Sequence, residues 1–169
     1  VDSFTNSQPQ VPMANRPEID RWIISLLNSL IKEVDESYND YEPTRAGRAI
    51  SNFVNDHLSN WYVRLNRKRF WGGTLTEDKL AAYQTLYTCL DTISRLMAPI
   101  SPFYADRLFL DLNSATGCDG SESVHLSDFP KADESLIDKV LEERMQLAQD
   151  ISSMTLSLRK KENIKVRQP

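Results

Sequence analysis

Apolar residues recur along this chain in three- and four-residue steps, interrupted by proline and glycine, and strand-like alternation is scarce. The pattern predicts an all-α fold. A first helix starts near Pro17, whose fixed φ suits an initial helical position, with Asn15 as a capping candidate. Ile19, Trp22, Ile23, Leu26, Leu27, Leu30, Ile31 and Val34 form its apolar stripe, which ends before Pro43. A second helix is predicted from Thr44 to about Trp71. Its inward positions would be Ala46, Ala49, Ile50, Phe53, Val54, His57 or Leu58, Trp61 and Leu65. A third runs from a Thr76 cap to about Met97, where Pro99 stops it, and Ser101-Pro102 restarts a fourth. After a polar loop from Asn113 to Ala132, a fifth helix is expected from near Asp133 to about Lys161. Ile137, Val140, Leu141, Leu147, Ala148, Ile151 and Leu158 would face inward.

Long amphipathic helices with short connections pack as antiparallel neighbours, so the expected architecture is an antiparallel bundle of four to five helices. Residues 1–16 read as a linker or an extended arm along the surface. Residues 17–161 read as the bundle, and residues 162–169 as the start of a following segment.

Composition narrows the class. The 169 residues are 40% hydrophobic and 26% charged with net charge −4, the profile of an ordinary soluble domain. No apolar run approaches the roughly 18 residues a membrane span needs, and the polar N-terminus is not a secretory signal. Two cysteines, Cys89 and Cys118, are too few for a disulfide scaffold or a four-ligand zinc site, and a reduced cytoplasmic setting is expected.

Charge changes the picture in one place. From Leu58 to Trp71 the chain reads LSNWYVRLNRKRFW, and no acidic residue falls between Asp56 and Glu77. Cations neutralise phosphates, and flat aromatic faces stack on unpaired bases, so this mixture suits RNA. On an acidic chain it offers one place to bind. Regular winding puts Asn60, Arg64, Arg67 and Trp71 on one stripe beside the core face. Arg64, Arg67, Lys68 and Arg69 are the phosphate candidates; Asn60 and Trp71 are the base candidates. The competing reading is a solvated helix face, the usual fate of a charge cluster. Trp61, on the core stripe, reads as packing, and Phe70 as packing on the following turn.

Other groups carry less chemistry. His57 borders the apolar stripe and reads as a boundary histidine. Cys118, Asp119, Glu122 and His125 match no common metal spacing. Asp35-Glu36 and Glu142-Glu143 are adjacent pairs that diverge on a helix. Arg159, Lys160 and Lys161 suit a helix C-terminus, with Lys165 and Arg167 beyond it. No nucleophile–base pair or phosphate-cradling glycine loop is present to support catalysis by this segment.

The LSNWYVRLNRKRFW run resembles the anticodon-binding domain of class I aminoacyl-tRNA synthetases, the isoleucine branch in particular. NRPEIDRWIISLLNSLIKEV resembles that family's first bundle helix, and LMAPISPFYADRLFLDL its proline-broken helix. SVHLSDFP and ENIKVRQP are most similar to the isoleucine branch. The resemblance covers essentially the whole chain. It implies a tRNA-binding piece of a larger, monomeric ligase that attaches isoleucine to its tRNA with ATP and magnesium. The ATP-binding signatures and the editing domain do not occur in this sequence, so this piece is expected to hold no cofactor or metal and to catalyse nothing alone. Its implied partners are isoleucine tRNA and the catalytic and editing domains of the same chain. The alternatives are the same module from a valine enzyme and a helical protein-interaction scaffold with no RNA role.

Overall fold

The computed structural model describes residues 4–71, 73–117 and 119–165. Among them every regular element is helical: α1 (Glu18–Asn39), α2 (Pro43–Asn52), a π-helical segment (Phe53–Val63), α3 (Arg67–Phe70), α4 (Glu77–Met97), α5 (Pro102–Thr116) and α6 (Lys139–Lys161). Three short 3-10 turns, Met13–Asn15, Val124–Leu126 and Glu134–Leu136, complete the set. No helix among the described residues is long and apolar enough to cross a membrane. The chain divides into two compact units, residues 1–137 and 138–169.

In the first unit, α1 packs against α2, the π segment and α4, while α5 packs on α4. Trp22, Ile23, Leu27 and Val34 of α1 are buried, as are Ala46, Phe53, Leu58, Ala82, Cys89 and Leu96 on the elements it packs against. Glu18 and Asp20 in the first turn of α1 suit the positive end of its dipole. The expected Asn15 cap is not made: Asn15 lies in the 3-10 turn, and Pro17 takes the N-cap position without a side-chain hydrogen bond. Thr76 does cap α4, its hydroxyl accepting from the Lys79 N–H at 3.2 Å. Pro102 opens α5, and Gly117 closes it at φ +63°, a left-handed conformation that a side chain would disfavour.

Two stretches that look irregular in sequence are tied down. The N-terminal arm follows α4: the Val11 N–H donates to Gln84 Oε1 at 2.9 Å, and Gln84 Nε2 returns a bond to the Pro9 carbonyl at 3.0 Å. The polar loop after α5 is held by Asp106, which accepts from Ser123 Oγ at 2.7 Å and the Val124 N–H at 2.9 Å. Val124 inserts among Ala98, Ala105 and Phe109. Farther along, Asn28 Oδ1 receives the Asp133 N–H at 2.8 Å.

The stretch from Asp133 onward departs from expectation. Asp133 does not open a long helix; it caps the short Glu134–Leu136 turn, and Asp138 caps α6, accepting from the Leu141 N–H at 3.0 Å. Val140, Leu147, Ala148, Ile151 and Leu158, expected inward, are exposed. Arg159, Lys160 and Lys161 occupy the last turn, where cations suit the dipole.

Candidate nucleic-acid interface

The second rod carries the candidate residues, and its winding differs from a regular α-helix. Between Phe53 and Val63 the turns widen to i→i+5 bonding, and the Arg64 N–H reaches back to the Ser59 carbonyl. The inward residues are therefore Phe53, Leu58, Tyr62 and Asn66, in steps of five, four and four. This slips the expected register by one position. Tyr62 is buried where Trp61 was expected, Trp61 is half-buried, and Leu65 is 57% exposed.

Beyond the π segment the rod breaks at Asn66. This residue is buried, its side-chain amide donating to the Tyr62 carbonyl at 2.8 Å. The Arg69 and Phe70 N–H groups return to the Asn66 carbonyl and start the single turn α3. Trp71 leaves that turn in an extended conformation.

Most of the candidate row faces outward. Asn60, Arg64, Arg67 and Lys68 are exposed, and Trp71 is 71% exposed. The Arg67 guanidinium carbon lies over the Trp71 indole, 5.5 Å from its centroid. No described carboxylate is within ion-pair distance of Arg64, Arg67 or Lys68. These groups thus form a corner of cations with no carboxylate partner among the described residues, and one open aromatic face.

Arg69 departs from the outward row. Its side chain is 16% exposed and turns into the unit. There its two Nη atoms grip both Asp20 oxygens at 2.7 and 2.9 Å. Nη1 also donates to Asn66 Oδ1 at 3.0 Å, Nε to Asp78 Oδ2 at 2.9 Å, and Nη2 to the Asp78 carbonyl at 2.9 Å. Every N–H of the guanidinium has an acceptor. Burial pulls its pKa down, but the bonds to Asp20 and Asp78 more than offset this and hold it above the ordinary arginine value.

Asp20 is fully buried and also accepts from the Tyr62 hydroxyl at 2.9 Å. Burial first, and the Asp20 charge second, push the Tyr62 hydroxyl's pKa well up, so it stays a donor. Sequence reading missed Asp20 and Tyr62 as organisers of this corner. The available signal was an acidic residue placed at the head of an apolar stripe.

Phe70 lies half-buried between Tyr62 and Tyr83, edge-on to both, with centroids 6.4 and 5.6 Å away. Tyr83 Oη also donates to the Phe70 carbonyl at 3.1 Å. His57 sits at the boundary, its ring edge-on to Trp22 at 6.0 Å. Cys89 is buried, and burial raises its thiol pKa, consistent with an inert core residue. Cys118 lies outside the described residues. Among the described residues no group of three His, Cys, Asp or Glu side chains could hold a metal ion.

Fold and corner together define an all-α bundle whose second rod ends in a cationic, aromatic turn. The chain belongs to the anticodon-binding domain family of tRNA ligases, whose family model matches residues 20–169. Over its full length it is 70% identical to the isoleucine–tRNA ligase of Bacteroides thetaiotaomicron. It is 66% identical to that of Bacteroides fragilis and 65% to that of Porphyromonas gingivalis. It spans only 14–15% of the length of these relatives.

Proposed function

We propose that this bundle is the tRNA-docking module of an isoleucine–tRNA ligase and holds the anticodon stem and loop of isoleucine tRNA. The observation that carries the reading is the exposed Arg67–Trp71 pair, flanked by Arg64 and Lys68 without described carboxylate partners. In this reading Arg64, Arg67 and Lys68 anchor phosphates and fix where the tRNA lies. Asn60 hydrogen-bonds a loop base and Trp71 stacks on one. Arg69 supports the corner from inside rather than touching RNA.

The module itself carries out no bond-making step. The parent ligase, a cytoplasmic monomer in this proposal, activates isoleucine with ATP and magnesium in its catalytic domain and transfers it to the tRNA. Binding energy gained at the bundle then helps orient the distant acceptor end.

The test is a titration of the chain with isoleucine tRNA and valine tRNA over a range of salt. Three phosphate contacts predict a log–log slope of about −2 to −3. Arg64→Ala with Arg67→Ala should weaken binding and shallow that slope by about 1.5. Salt-independent behaviour, or a double variant that binds like the parent, would favour a protein-interaction scaffold. A preference for valine tRNA would favour the valine enzyme.

A further inference from the structure

The Arg69 guanidinium joins three parts of the chain that sequence keeps far apart. It holds Asp20 on α1 across 49 positions, Asp78 on α4 across nine, and Asn66 at the foot of its own turn. The turn so pinned is α3, four residues long and too short to hold its own shape in water. Its outward side chains, Arg67 and Lys68, and the Trp71 that follows are the contact corner described above. Asp20 anchors the assembly: both its oxygens are occupied by Arg69, and Tyr62 adds a third bond from the end of the π segment.

We infer that Asp20 is the positioning residue of the RNA-contact corner, acting through Arg69 to set the pose of the Arg67–Trp71 turn. The inference rests on the tRNA-docking reading and deepens it. A planar fork spanning both carboxylate oxygens fixes direction as well as distance, which a lysine cannot do. With all its N–H groups already engaged, Arg69 has no donor left for phosphate unless the internal bonds break.

Three variants of the full chain separate positioning from direct contact: D20N, R69K and R69Q. Two readouts are taken, amide hydrogen exchange of residues 67–71 without RNA, and the affinity and salt slope for isoleucine tRNA. Positioning predicts roughly tenfold faster exchange in that turn, beyond whatever change the measured loss of global stability imposes on the mid-helix amides of α1 and α4. It also predicts about tenfold weaker tRNA binding with an unchanged salt slope, because no phosphate contact is lost. R69K should behave like R69Q, since charge without the fork does not hold the turn.

The inference is overturned if exchange in residues 67–71 is unaltered, or if it quickens while affinity stays the same. It is equally overturned if R69Q shallows the slope by about 0.7–0.9 and R69K restores it, which would make Arg69 a phosphate contact itself. Where D20N does not fold, R69K, which keeps a cation beside the carboxylate, carries both readouts. A parent chain that fails to bind tRNA removes the docking reading, while the exchange result still decides whether Asp20 holds the turn.

Discussion

Arg67 lays its guanidinium over the Trp71 indole, one helical turn away, with 5.5 Å between the guanidinium carbon and the ring centroid. Even with this contact, Trp71 remains 71% exposed. An exposed cation–π pair contributes only about 0.5–1 kcal/mol, so its weight in folding is small. Its consequence is orientation: one face of a large ring is occupied by a cation, and the rest remains open.

Trp71→Ala should therefore separate binding from stability. Base–aromatic stacking is worth about 1–3 kcal/mol per base, so tRNA affinity is expected to fall several-fold to a hundredfold. The melting temperature should change by only a few degrees. Trp71→Phe, which keeps a ring, should recover part of the affinity. Equal affinity for all three proteins would remove Trp71 from the interface.

Tyr62→Phe tests the buried anchor. It deletes the hydroxyl that donates to Asp20 at 2.9 Å and leaves a buried carboxylate with one donor fewer. Such an unmet acceptor costs about 1–3 kcal/mol. Urea unfolding should show a lower midpoint with an unchanged slope. Asp20→Ala, which leaves Arg69 facing the interior without its main partner, should cost more, about 3–5 kcal/mol.

Gly47 and Gly117 predict opposite outcomes for the same substitution. Gly47 lies inside α2, and an added Cβ would meet only the end of the Ile100 side chain, at 3.4 Å. Ile100 is 42% exposed and free to adjust. Gly47→Ala should then stabilise by about 0.5–1 kcal/mol through helix propensity. Gly117 sits at φ +63°, so Gly117→Ala should destabilise by about 1 kcal/mol. Thermal melting of the two variants decides both signs.

Acid should loosen the loop after α5 in a defined window. Hydrogen bonds from Ser121, and then the Arg95 guanidinium at 2.7 Å, hold the Asp119 carboxyl down at about 2, against 3.8 for the ordinary group. Between those values the unfolded chain binds the proton more readily than the folded one, so stability rises with pH there. The Asp119 contribution is fully present above about pH 4 and fades as pH falls towards 2. The stability gap between the parent and Asp119→Asn should close across that window; a gap independent of pH would refute the pairing.

Much of this molecule was written locally in the sequence. The apolar stripe of α1, the Thr76 cap of α4, the restart at Pro102 and the acid-free run from His57 to Thr76 were all legible without coordinates. Each depends on interactions within a turn or two: proline's fixed φ, a hydroxyl capping an amide, a periodic apolar face. The choice of Asn60, Arg64, Arg67, Lys68 and Trp71 as outward-facing groups came from the same reasoning.

Tertiary structure decided the rest, because the deciding partners are distant or the local period changes. Composition does not distinguish Arg69 from Arg67 or Lys68; what draws it inward is chiefly a buried carboxylate 49 positions earlier, with Asp78 nine positions later and Asn66 adding acceptors. The π segment slips the inward register from Trp61 and Leu65 to Tyr62 and Asn66, a shift that a fixed 100° winding does not contain. Asp106 and Asn28 likewise hold a loop whose own composition signals only polarity. Local rules set where helices run and where charge gathers, while long-range pairing sets which of those charges remain free to meet a partner.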